Sequence, residues 1–233
     1  MVNFDYIDKN LCEIREKINK AKLKRDNNLK RANNKEVRLM AVTKNVPVDK
    51  INFAISRGIN LIGENRVNEF LEKYDYINKD GLEVHFIGTL QTNKVKYIID
   101  KVEMIQSVDS IKLAEEINKR ANLKNKVMNV LAEINIGGEA SKSGISPEGC
   151  SDFINIIKDF KNIKVCGLMT IPPYEASLDK QEIRKYFDKT RMIYESLDGL
   201  DALSMGMSED FEVAVECGAG IVRIGTRIFG ERK

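Results

Sequence analysis

Residues 37–44 read VRLMAVTK, a short β-rich apolar run that ends on a threonine and a lysine. A run of this length followed by a turn with Pro47 predicts a buried strand over Val37–Val42. Working outward, the same kind of run recurs at Leu61–Gly63, Val84–Gly88, Met104–Val108, Val130–Asn135, Val165–Thr170, Ala202–Gly206 and Ile221–Gly225, which makes eight candidate strands. The segments between them carry helical spacing, as in Ile111, Ala114, Ile117 and Ala121, or Ile183, Tyr186, Phe187, Thr190, Tyr194 and Leu197. Strand and helix alternate throughout, so the sheet is parallel. Eight repeats favour closure into an α/β (β/α)₈ barrel, the TIM barrel, with an open doubly wound sheet as the alternative. Residues 3–25 predict an extra helix ahead of the first strand, its apolar stripe of Leu11, Ile14, Ile18 and Ala21 packing on the barrel.

At 233 residues the chain is close to the roughly 250 typical of such a barrel, so one domain over 1–233 is expected, with residues 1–36 as its N-terminal helix and loop. No linker rich in Pro, Gly or Ser divides it. At this size roughly 70 to 75% of the unfolded surface can be buried, so no disulfide or metal staple is needed. Cys12, Cys150, Cys166 and Cys217 are far apart and form no CxxC pair, which reads as reduced thiols in a cytoplasmic protein. The opening residues are too acidic for a leader, and no apolar run approaches the roughly 20 residues of a membrane span. A net charge of +3 from 38 basic and 35 acidic residues argues against nucleic acid as a partner. The locally basic stretch from Lys20 to Arg38 includes Lys22, Lys24, Arg25, Lys30 and Arg31. Asp26 and Glu36 interrupt it, and it predicts a solvated helix and loop. The balanced charge and full barrel fit a monomer.

In a (β/α)₈ barrel the active face is built from strand ends and the loops that follow them. Lys44 lies at such an end. It either snorkels to solvent or is a desolvated amine of lowered pKa, suited to a Schiff base with an aldehyde. The last strand runs through IVRIGTRIFG, where Arg223 alternates with apolar neighbours and Gly225–Thr226 opens a short terminal segment. The seventh leads into LSMGMSED, with Ser204, Gly206 and Ser208 ahead of a helix expected to begin near Glu209. Ser208 taken alone is an ordinary N-cap. The two loops together suit a phosphate. The second strand ends on Glu64 and Asn65, and the third contributes His85, Gln91, Asn93 and Lys94. His85, inside an apolar run, reads as a hydrogen-bonded core residue. Lys142, in the SKSG loop after the fifth strand, reads as a solvent-exposed lysine on the same face.

Taken in order, MAVTK, GEN, HFIGTLQTNK, SKSG, GLMTIPP, LSMGMSED and VRIGTRIFG resemble the YggS/PROSC family of proteins that bind pyridoxal 5′-phosphate (PLP) and take part in PLP homeostasis. The resemblance runs from about Val37 to Gly230. It implies the barrel of the alanine racemase N-terminal domain, the fold-type III class of PLP proteins. It further implies PLP as cofactor, held as a Schiff base on Lys44, with its phosphate on Ser208, Gly225 and Thr226. Arg223 would then face the pyridine nitrogen, and Asn65 and Ser204 would line the cofactor. The chain departs from many relatives at Val46, where a second lysine is common, at Val84, where an aromatic is usual, and at Thr89, where histidine is frequent.

An arginine opposite the pyridine nitrogen keeps that nitrogen unprotonated and the ring a poor electron sink. Racemases of this fold add a second domain that supplies an opposing tyrosine, whereas here the eighth strand lies close to Lys233. The expected function is therefore non-catalytic: buffering PLP and supplying it to PLP-dependent apoenzymes. The alternatives are a small amino-acid racemase, with Lys44 as one base and a tyrosine or His85 as the other, and a cofactor-free barrel for a phosphorylated sugar or nucleotide.

Overall fold

A computed structural model describes residues 4–25 and 36–231. The strands are β1 (Arg38–Val42), β2 (Leu61–Glu64), β3 (Glu83–Phe86), β4 (Met104–Val108), β5 (Met128–Ile134), β6 (Ile163–Thr170), β7 (Ala202–Ser204) and β8 (Ile221–Ile224). The helices are α1 (Asp5–Leu23), α2 (Val48–Ser56), α3 (Val67–Tyr74), α4 (Val95–Ile98), α5 (Ile111–Leu123), α6 (Cys150–Lys158), α7 (Lys180–Ser196), α8 (Phe211–Glu216) and α9 (Thr226–Phe229). Each strand pairs in parallel with the next, and β8 returns to β1 with Arg38 opposite Ile221 and Ala41 opposite Ile224. That last pairing closes the barrel and excludes the open sheet. All eight expected strands are present.

Successive side chains of a strand point to opposite faces, so each strand serves two compartments. Outward, Ala41, Ile62, Val84, Phe86, Ile105, Val130, Leu168 and Val222 meet the buried stripes of the helices, among them Phe70 of α3 and Phe187 of α7. Inward, the lumen holds two separate apolar clusters. Met40, Leu61 and Ile221 form one, from β1, β2 and β8. Met104, Leu131, Cys166 and Met169 form the other, from β4, β5 and β6. Polar side chains from β3, β4, β7 and β8 also turn inward.

Helix α1 buries Ile7, Leu11, Ile14, Ile18 and Ala21 and packs against α8 and α9. Tyr6 Oη donates to the Phe229 carbonyl at 3.2 Å and Asn10 Nδ2 to that of Ile228 at 3.1 Å. In the described part of the basic stretch Lys20 and Lys24 are exposed as expected, whereas Arg25 is half-buried. Arg25 Nε donates to Val215 O at 2.8 Å and Nη2 to Ala219 O at 2.5 Å, so this cation fastens the end of α1 to the turn after α8. Asp26, Lys30 and Arg31 lie outside the described residues. The four cysteines are free thiols. Burial raises those of Cys150, Cys166 and Cys217. Among the described residues no helix is long and apolar enough to cross a membrane.

Candidate functional site

The carboxyl ends of the strands surround a cavity of about 590 Å³. Lys44, Asn65, Ser208, Arg223, Gly225 and Thr226 all line it, with Glu133, Asp210, Met207, Gly88, Thr89 and Tyr174. Four separate strand ends, those of β1, β2, β7 and β8, thus bring together six of the seven residues singled out from sequence. Lys44 is half-buried two positions beyond β1.

The backbone on either side of Lys44 is clamped by α3. Lys73 Nζ donates to the Thr43 carbonyl at 2.9 Å, and the Asn45 N–H donates to Glu69 Oε1 at 2.5 Å. Asn45 takes the left-handed conformation at φ 55°, which turns the chain sharply away after Lys44. Thr43 Oγ1 donates to Glu64 Oε1 at 2.6 Å, and Lys73 Nζ stands 3.5 Å from the same oxygen. Glu64 is fully buried, and the loss of water raises its carboxyl above the usual range despite these partners. Spacing along the chain gave no hint of Lys73.

Asn65 belongs to the wall through a close approach of backbones. A Cβ on Gly88 would stand 2.2 Å from the Asn65 carbonyl oxygen, so only glycine lets the turns after β2 and β3 touch. Within that packing Asn65 Oδ1 is buried without a hydrogen-bond partner in the protein. An orphaned acceptor beside a cavity fits a donor on a ligand.

The loop after β7 corrects one expectation. Helix α8 begins at Phe211, with Asp210 at its N-cap position, so Ser208 is not the cap. Asp210 instead accepts from the Met207 N–H at 2.6 Å, bending the loop so that Ser208 stands on the cavity wall. Gly206 enters that bend at φ +92°, where a Cβ would also meet Ala214 at 2.5 Å. After the neighbouring strand β8, Gly225 and Thr226 lead into α9, whose first N–H groups are not used by its own turns.

Arg223 is almost completely buried beneath these loops, at 3% exposure. Its Nη1 donates to Ser204 Oγ at 2.7 Å and its Nη2 to the Thr170 carbonyl at 2.8 Å. Burial pushes the guanidinium down to about 10, with Asp210 and Glu133 pulling the other way, so it keeps its charge at neutral pH. Glu133 went unread in the sequence. Burial, reinforced by Asp109 and opposed by Arg223, raises its carboxyl to about 7. A carboxylate at the inward positions of a buried strand was the signal available, since Leu131 and Glu133 share one face of β5.

Ser204 is the exception among the seven. It lies behind Arg223, fully buried, and donates to Gln106 Oε1 at 2.7 Å rather than lining the cavity. His85 is a hydrogen-bonded core residue as expected, 1% exposed with Nδ1 2.8 Å from Gln106 Nε2, and it does not reach the cavity. Buried outside the cavity lining, it is not placed to act as a second base opposite Lys44. Lys142 is half-buried, not free in solvent. It pairs with Glu139 at 2.5 Å and donates to the Pro172 carbonyl at 3.2 Å.

The comparisons with known proteins agree with this architecture. The family described as "Alanine racemase, N-terminal domain" matches residues 9–233. The pyridoxal phosphate homeostasis protein of Aquifex aeolicus is 49% identical over 201 residues, covering 84% of this chain and 87% of the relative. Its namesake in Haemophilus influenzae is 38% identical over 232 residues, covering 97% and 96%. Among solved structures, PipY of Synechococcus elongatus with PLP bound superposes with a TM-score of 0.80 at 29% identity, covering 96% of this chain and 100% of that one. Barrel closure, the site at its carboxyl face and these likenesses converge: the chain belongs to the alanine racemase N-terminal-domain family and, within it, to the pyridoxal phosphate homeostasis proteins.

Proposed function

We propose that the chain binds PLP in this cavity as a Schiff base on Lys44 and serves PLP homeostasis, buffering the cofactor and supplying it to apoenzymes without substantial turnover of amino acids. The observation that carries this reading is the convergence on one cavity of the Lys44 amine, the buried Arg223 guanidinium, and the Ser208 and Gly225–Thr226 loops. The names of the relatives and the PLP bound to PipY support it.

In this reading the Lys44 amine adds to the ligand's aldehyde and water leaves, with the clamp on Thr43 and Asn45 fixing where the amine points. The hydroxyls of Ser208 and Thr226 and the N–H groups that open α9 hold the phosphate. Asn65 Oδ1, orphaned in the protein, accepts from a ligand hydroxyl. When bound, PLP supplies an electron sink for carbanion chemistry, most effectively with its ring nitrogen protonated. Arg223 opposes that protonation, because two positive charges a hydrogen bond apart repel strongly. The chain acts as one domain over 1–233, in the cytoplasm and as a monomer. The racemase alternative needs a second proton-transfer group, and Tyr174, 67% exposed at the rim, is the tyrosine in the cavity lining.

The test is absorbance of the protein with PLP before and after borohydride reduction, with peptide mapping of the adduct. We expect a reducible adduct on Lys44 that disappears in Lys44→Ala. An unchanged adduct in that variant overturns the assignment. Solvent deuterium entering Cα of L-amino acids at enzymatic rates would replace the carrier reading by the racemase one.

A further inference from the structure

Four consecutive contacts cross the barrel lumen. Arg223 Nη1 lies 2.7 Å from Ser204 Oγ, Ser204 Oγ 2.7 Å from Gln106 Oε1, Gln106 Nε2 2.8 Å from His85 Nδ1, and His85 Nε2 3.4 Å from Glu83 Oε2. Arg223, Ser204, Gln106 and His85 are each at most 3% exposed. At the far end, Glu83 opens β3 at the amino end of the barrel and pairs with Arg38 at 2.9 Å. The path begins under the cavity and leaves through the opposite face. It divides the lumen, with the Met40–Leu61–Ile221 cluster on one side and the Met104–Leu131–Cys166–Met169 cluster on the other.

The direction of this chain follows from its ends. A guanidinium can only donate, so Ser204 accepts from it and turns its own proton to the Gln106 carbonyl. The Gln106 amide nitrogen then faces His85, whose Nδ1 must accept. The imidazole proton is thereby placed on Nε2, toward a carboxylate that can only accept. Every proton points the same way.

Satisfying Arg223 does not require this length. Its Nη groups have Ser204 Oγ and the Thr170 carbonyl as acceptors, and equivalent inward positions on neighbouring strands are apolar. Continuing a polar chain through a dry lumen is costly unless each member is satisfied. What the extension adds is a fixed serine rotor: Gln106 holds the Ser204 proton, and His85 holds the Gln106 amide the right way round.

We propose that Gln106 and His85 are positioning residues which, through Ser204, fix the rotation of the Arg223 guanidinium beneath the bound pyridine ring and carry occupancy of the cavity to the imidazole near the opposite face. The coupling to ligand rests on PLP occupying the cavity; the direction of the chain does not. Burial holds the imidazole below its ordinary pKa against the pull of Glu83 and Glu103, with Arg38 adding to the depression, so it stays neutral in the chain.

His85 is the sole histidine of the sequence, so nitrogen NMR of the full chain labelled at histidine reads this ring without ambiguity. The expected result is the Nε2–H tautomer at neutral pH, with resonances that move when PLP is added and that move in ligand-free Ser204→Ala. Gln106→Leu is expected to shift the visible band of bound PLP and to weaken PLP binding by up to about tenfold, the scale of one lost hydrogen bond between neutral groups. A ring protonated at Nδ1, or one unmoved while the PLP band shows the cavity filled, overturns the proposal. Absence of any PLP band would instead defeat the cofactor reading, and the tautomer and the Ser204→Ala response would still decide the chain of contacts. If Gln106→Leu does not fold, judged by circular dichroism, the Ser204→Ala spectrum carries the test.

Discussion

The same eight strands face two interiors of different chemistry. On the outside, Phe70, Phe86, Phe187 and Phe211 are fully buried among aliphatic side chains. On the inside, Arg223, Ser204, Gln106 and His85 run between two small apolar clusters, and Glu133 and Glu64 are buried at the mouth. Burial of apolar area is the dominant favourable term in folding, whereas each buried polar group returns little net stability even when bonded. The outer layer therefore holds the barrel together. The lumen spends stability on placing charge beneath the cavity.

The sharpest way to test that division is to damage the outer layer alone. Phe187→Ala should cost about 3–5 kcal/mol in urea unfolding, through lost burial and the cavity left behind. Below its unfolding transition it should retain the PLP absorbance of the parent. A lost PLP band in folded Phe187→Ala would show the two compartments to be coupled. In the lumen the expected effects are smaller and depend on pH. The Glu133 carboxyl is raised to about 7 in the fold, so its contribution is full below the unfolded value near 4.5 and is lost as pH rises through 7. Thermal midpoints of Glu133→Gln and the parent should nearly agree at pH 5, with the variant higher by a few degrees at pH 8. A parent as stable as the variant at pH 8 would mean that Glu133 ionises without cost. The third effect has the opposite sign. His85 is depressed below 6.5, so the unfolded chain takes up a proton that the fold refuses, and stability falls as pH drops below about 6.5. The midpoint of the parent relative to His85→Gln should decline between pH 7 and pH 5, and a constant difference would remove the claim of a neutral imidazole.

This contrast also explains what could be read from the sequence. The outward positions repeat with the strand period and meet helices with the helical period, so Val37–Val42 and its seven counterparts, α1 and the α5 and α7 stripes were all legible. Lys44, Arg223 and Gly225–Thr226 stood out because a polar or glycine residue interrupts an apolar strand end. Glu133 was passed over because one carboxylate in VLAEIN carries no pattern, although alternation places it inside. Ser208 taken alone passes for a cap because the capping motif looks the same whether the serine or the nearby Asp210 sits at the N-cap position. Lys73 and Gln106 act through partners 30 and 98 residues away, and contacts of that kind leave no local mark. Their discovery required the closed barrel.

The embrace of α9 by α1 has a consequence for how the molecule is made. Tyr6 and Asn10 find their acceptors 223 and 218 residues downstream, and β1 has no partner on one edge until β8 exists. On a ribosome, the apolar stripe of Ile7, Leu11, Ile14 and Ile18 must therefore wait until α8 and α9 emerge before it has a resting place. During that interval the nascent chain offers a greasy helix and an open sheet edge to its surroundings, the kind of surface that chaperones hold. The loop that bears Gly225 and Thr226 arrives with that same late segment, so the nascent protein passes abruptly from an aggregation hazard to a finished binding site.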